Sequence, residues 1–170
     1  MKNLFKTINR KIDSTSRIGI LGIGSEIRLD DAVGCYIIRE LELQLKQKQF
    51  NTAGISAVEI WYGGTAPENV TGDIKRFNPS HLFMIDAADI GCPPGTIKII
   101  PAEDICGVSF TTHMLPLSVI VDYLKTFLDT EFTIIGIQPK VLGFGTTLSD
   151  EVAQAGKEVV SQITSLITNQ

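Results

Sequence analysis

The run IGILGIGSEIRLDDAVGCYIIREL, Ile18 to Leu41, decides the fold. Ile18 to Ile23 is apolar and bounded by Gly22 and Gly24, the mark of a short buried strand. Beyond the loop, Val33, Ile37, Ile38, Leu41 and Leu45 recur at helical spacing, which predicts a helix over Asp30–Lys48. Strand, glycine turn and helix together make the first half of a βαβ unit. A glycine turn in that place normally cradles a phosphate on backbone amides and the helix N-terminus. This one carries three carboxylates, Glu26, Asp30 and Asp31.

Those acids argue against a nucleotide. The dinucleotide fingerprint needs a third glycine where Ile27 stands, so helix and strand are not expected to approach closely there, and no G-x-x-x-x-G-K-[ST] run is present. Two like unit charges about 4 Å apart repel by roughly 4 kcal/mol at an effective dielectric of about 20. The loop should repel a pyrophosphate and attract a cation.

Outward from this unit the alternation continues. Ile55–Tyr62 reads as a second strand closed by Gly63 and Gly64, and Thr65 is placed to cap a short helix ending near Phe77, with Pro67 in its first turn. His81–Ile85 is a third strand that ends at Asp86. Thr96–Ile100 follows after so short a turn that antiparallel pairing at a sheet edge is expected. Met114–Phe127 reads as a helix, Phe132–Ile137 as a strand and Ser149–Ile167 as the last helix, with Asp150 and Glu151 in its first turn. Apolar strands alternating with amphipathic helices indicate an α/β three-layer sandwich, a twisted and mostly parallel sheet flanked by helices.

The bulk properties fit one such domain. The chain has 170 residues, 44% hydrophobic and 20% charged, with a net charge of −4. A weakly acidic chain is a poor nucleic-acid binder, and no apolar run approaches the roughly 20 residues of a membrane span. Cys35, Cys92 and Cys106 are odd in number, scattered and without a CxxC, which suits a reducing cytoplasm better than a disulfide framework. The basic start lacks the apolar core of a secretory signal, so residues 1–16 read as an N-terminal arm and 17–170 as the single domain. A cytoplasmic monomer is expected.

In open parallel sheets, ligands bind beyond the carboxyl ends of the strands. Asp31 follows the first strand, Asp86 ends the third, and His113, in TTHMLPL, follows the edge strand. All three should face one rim, and two carboxylates with one imidazole suit a borderline divalent metal such as zinc or nickel. Taken singly, each has a plainer role: Asp30 and Asp31 as helix N-cap and first-turn acid, Asp86 bonded to turn amides, His113 as a cap. His81 starts its strand at the opposite edge and is not included. Trp61, Tyr62 and Phe144 are candidates for an apolar cleft, with ordinary packing as the alternative.

The blocks GIGSEIRLDDAVG, WYGGTAPEN, FMIDAADIGCPPGTIKII, TTHMLPL and IIGIQPK resemble, in order and spacing, the nickel-iron hydrogenase maturation endopeptidases, and GGTAPEN and TTHMLPL resemble the hydrogenase 3 (formate hydrogenlyase) branch. The resemblance covers Arg17 to Thr168. It implies an α/β fold and an enzyme that removes a C-terminal peptide from the hydrogenase large-subunit precursor after nickel insertion. It implies that Asp31, Asp86 and His113 are the metal-contacting and catalytic residues, with Gly24, Gly64 and Thr65 near the substrate. It also implies nickel carried by the substrate, with zinc or cadmium able to take the site in vitro. Ser25 stands where the family has Asn and Ala32 where many members have Gly. No serine or cysteine has an evident activating partner for covalent catalysis. The competing reading is a non-catalytic nickel or precursor-binding chaperone on the same scaffold.

Overall fold

Why the first helix lies close to the sheet is visible at two glycines. In the computed structural model, which describes residues 12, 15–47, 57–102, 105, 109–110 and 116–168, strand β1 (Arg17–Ile23) is followed by helix α1 (Val33–Gln47). A Cβ on Gly34 would overlap the carbonyl oxygens of Ile23 and Ile85, and one on Gly22 would overlap Ile38 and the Gly34 carbonyl. Helix and strand therefore do approach closely, through Gly22 and Gly34. Ile27 at the third fingerprint position does not prevent it, because the loop carries the chain past that point before the helix starts.

The helix begins later than its apolar pattern suggested. Leu29–Ala32 forms a 3-10 turn, with Leu29 at a φ of 50°, and α1 starts at Val33. Asp30 and Asp31 are thus neither N-cap nor first-turn acid of α1. Strand β2 (Ala57–Gly64) includes Gly63 and Gly64, which the sequence placed beyond it. Thr65 does not cap a helix: a 3-10 turn, Pro67–Val70, leads into α2 (Thr71–Phe77), and neither start has a side-chain cap.

Strand β3 (His81–Asp89) runs three residues past Asp86. It is followed by β4 (Ile97–Ile100), the two-residue β5 (Ser109–Phe110), α3 (Leu117–Lys125), β6 (Glu131–Ile137) and α4 (Asp150–Thr168). β5 has no signature in the local pattern and pairs antiparallel with Ala88 and Asp89. The sheet order is β2-β1-β3-β6-β4, parallel except for β4, which lies antiparallel on β6 at the edge as its short connection implied.

Side-chain alternation divides the core in two. Ile18, Ile20, Phe83, Ile85, Ile135 and Ile137 pack under α1 and α4. Leu21, Ile23, Leu82, Met84 and Ile134 pack against α2 and α3. This is the three-layer sandwich expected. Among the described residues no helix is long and apolar enough to cross a membrane.

The order also has a functional consequence. β1 is followed by β2 on one side and lies beside β3 on the other, so the strand order reverses between β1 and β3. That reversal opens a crevice at their carboxyl ends. Gly22 pairs with Ile85 as the last β1–β3 partners, so Asp86 is the first β3 residue beyond that pairing.

Candidate active site

The three carboxylates of the opening loop have three different fates. The Glu26 side chain forms an ion pair with Arg39 at the surface. Asp30 is fully buried and acts as an internal clamp. Its carboxylate accepts hydrogen bonds from the amides of Lys140 (2.8 Å), Val141 (2.9 Å) and Ser149 (2.7 Å) and from the Ser149 hydroxyl (2.9 Å). It thereby ties the β6–α4 loop to the 3-10 turn and anchors the start of α4. Asp31 is also fully buried, but points back into the loop, where its Oδ2 accepts the Ser25 amide at 2.8 Å.

Gly24 makes that turn possible. Its φ is 133°, a Cβ there would overlap the Asp31 carbonyl oxygen, and its amide donates to the Gly64 carbonyl at 2.9 Å. The ends of β1 and β2 are thus joined beside Asp31. Thr65 is exposed just beyond Gly64.

Asp86 is the second fully buried carboxylate of this rim. Its nearness to Asp31 is registered by a common neighbour, the thiol of Cys35 on the first turn of α1. That thiol donates to the Gly24 carbonyl at 3.3 Å. Burial pushes its pKa up, a hydrogen bond with Tyr62 pulls it down, and the charges of Asp86 and Asp31 push it up again. Tyr62 is pushed up to about 12, by burial first and by its bond to Cys35 second. At neutral pH Cys35 is therefore a protonated, buried thiol, the opposite of an activated nucleophile.

The third expected residue, His113, lies outside the described residues, as does Cys106. Among the described residues, no group of three His, Cys, Asp or Glu side chains is gathered as a metal site. The structure brings together two buried carboxylates with two adjoining glycines, Gly24 and Gly64.

Other sequence candidates separate clearly. Trp61 is buried in the core, packed edge-on to Phe77 at 5.5 Å. Phe144 stands 91% exposed on the β6–α4 loop. His81, left out of the site, is buried at the opposite end of β3, with Nε2 2.8 Å from the Thr133 hydroxyl and its ring stacked on Phe83 at 4.5 Å. Asp89 accepts from the Gly91 amide and from Gln138 Nε2, both at 3.3 Å. Gln138, to which the sequence assigned no role, holds the turn after β3 by accepting the amides of Ile90 (2.8 Å) and Cys92 (3.3 Å). The Cys35–Tyr62 contact was also missed; the two are 27 positions apart on different elements, and nothing in either local pattern links them.

Comparison with known proteins shows the family. A family model described as HycI, hydrogenase maturation protease, matches residues 35–166. A Methanocaldococcus jannaschii protein named for hydrogenase maturation protease activity is 37% identical over 92% of this chain and 92% of its own length. The hydrogenase 3 maturation protease of Escherichia coli is 36% identical over 59% of this chain and 65% of its own. The crystal structure of the [NiFe] hydrogenase maturation protease HycI from Thermococcus kodakarensis superposes with a TM-score of 0.77 at 25% identity, covering 97% of this chain and 96% of that one. The chain belongs to the hydrogenase maturation protease family, in its hydrogenase 3 branch, and is a peptide-bond hydrolase.

Proposed function

We propose that this chain removes the C-terminal extension of a nickel-iron hydrogenase large-subunit precursor, and that it reads nickel already seated in that precursor through Asp31, Asp86 and His113. The observation that carries the reading is the pair of fully buried carboxylates at the strand-order reversal, Asp31 after β1 and Asp86 on β3. Two desolvated carboxylates beside one thiol make a strongly cation-attracting pocket, because charges interact more strongly where water is excluded. Carboxylate oxygens with one imidazole suit a borderline divalent ion, so the donor set fits nickel.

The metal is part of the substrate here, and licenses cleavage by completing the site. When bound, such an ion polarises a carbonyl or acidifies a water. The chain's own contribution is positional. The Ser25 amide fixes the Asp31 carboxylate, Gly24 and Gly64 keep the loop backbone clear of side chains, and the protonated Cys35 stays out of the chemistry.

The test is intact mass of the precursor incubated with the protein, with and without prior nickel loading. Loss of a C-terminal peptide from the nickel-loaded form alone is expected. Binding of the precursor without any mass loss would overturn the reading and leave a chaperone.

A further inference from the structure

A rigid apolar patch sits beside the acid pair. Ile27, Val141, Leu142 and Phe144 are all large, apolar and exposed, at 59%, 43%, 42% and 91%. They lie on two loops knitted together by backbone bonds, Gly145 N to Ile27 O and Leu29 N to Gly145 O, each 3.0 Å. The Asp30 carboxylate holds the amides of Lys140 and Val141 from beneath, and the Leu29 side chain packs over Gly145. A slack loop would fold its phenyl ring inward; this one is bonded at both ends and holds the ring in solvent. Clustered apolar side chains on an ordered surface mark a contact site, and a preformed surface binds without the cost of ordering itself.

The charges indicate what kind of partner fits. Val141 to Ser149 carries no charged side chain. The flanking Lys140 is taken by Glu151 at 2.7 Å, and Glu26 by Arg39. Arg28, exposed between Ile27 and Leu29, is one cation beside the patch, too few to hold an acidic partner or an anionic membrane by charge, which takes a cluster. The frame is also continuous with the site: Asp30 builds the patch, and Asp31, the next residue, belongs to the acid pair. Whatever seats on the patch is placed in a fixed register to Asp31.

From this juxtaposition we infer that Ile27, Val141, Leu142 and Phe144 are the docking surface for an apolar segment of the folded substrate protein, a specificity element outside the acid pair. The inference rests on the function proposed above. Docking there aligns the cleavable peptide with Asp31 and Asp86, so the patch governs affinity and leaves the chemical step alone.

The experiment measures precursor affinity together with KM and kcat on nickel-loaded precursor, for the full chain and for Phe144→Asp, Val141→Ser and Phe127→Asp. Phe127 is a control, 61% exposed and packed on Tyr123 beyond α3. Phe144 contributes nothing to the core, so its variant should melt like the parent. Expected is a rise of about tenfold or more in both dissociation constant and KM for Phe144→Asp, a smaller rise for Val141→Ser, kcat within about twofold, and no change for Phe127→Asp. Unchanged affinity and KM in both patch variants would overturn the inference. So would loss of self-association, read by sedimentation, with precursor affinity intact, since the patch would then serve a second copy. A parent chain that binds through the patch but cleaves nothing would keep the docking surface and sink the endopeptidase reading. One that neither binds nor cleaves would overturn both.

Discussion

Replacing Asp30 should unfold what replacing Asp31 only inactivates, although the two are neighbours in one turn. Asp30 accepts three backbone amides and one hydroxyl from the β6–α4 loop. Asp30→Ala leaves those donors in a partly buried seam. A hydrogen bond to a charged group contributes about 1.5–3 kcal/mol, and an orphaned buried donor costs about 1–3 kcal/mol. Water can reach some of the seam, so the sum falls short of four full penalties, at roughly 3–4 kcal/mol. For a chain of this size that is a fall of about 10 °C in melting temperature. Asp31→Asn keeps an oxygen for the Ser25 amide, so its stability should change by no more than about 1 kcal/mol while cleavage is lost. Thermal melts followed by circular dichroism read the first effect, and precursor cleavage the second. Ser149→Ala should cost less in the Asp30→Ala background than alone, because that hydroxyl already lacks its acceptor. An Asp30→Ala protein that melts with the parent, or an Asp31→Asn protein that melts about 10 °C below it, would refute the division of labour between the two acids.

Other consequences are equally direct. Gly24→Ala places a methyl group on the Asp31 carbonyl at a φ of 133°, and should destabilise the chain by at least about 2 kcal/mol by urea titration. Raised pKa values of Cys35 and Tyr62 mean that the unfolded chain loses these protons first. Their contribution is present below the ordinary values of 9.0 and 10.0 and is lost as pH climbs toward their raised values, about 12 for Tyr62. The urea midpoint should therefore fall above pH 9.0, and Cys35→Ala with Tyr62→Phe should flatten that fall; an equally steep fall in the double variant would count against the contact. Trp61→Phe should lower the melting temperature and leave KM unchanged, since Trp61 is core; a raised KM would return it to a substrate cleft.

The layers, the parallel frame and the edge position of β4 were legible because they rest on local periodicity, and buried strands such as His81–Ile85 announce themselves as continuous apolar runs. The helix start was misread for a physical reason. Asp30 looks like a helix-capping acid in sequence, but its partners are 110 to 119 positions away, on a loop that no local pattern connects to it. The Cys35–Tyr62 contact and the Gln138 clamp were invisible for the same reason. β5 is two residues long and exists only because β3 extends past Asp86 to receive it. Asp31 and Asp86 could be chosen because the strand-edge rule depends on topology, which the sequence did reveal. Separating Asp31 from Asp30 took the structure, through the four bonds that occupy one and not the other.

As proposed above, Asp31 and Asp86 form one site for reading the metal in the substrate. The most direct measurement is the cleavage rate of nickel-loaded precursor by Asp31→Asn and by Asp86→Asn, at protein concentrations matched for folded fraction. A loss of at least ~100-fold is expected in each, with affinity for the nickel-free precursor unchanged. Cleavage at the parental rate by either variant would contradict it.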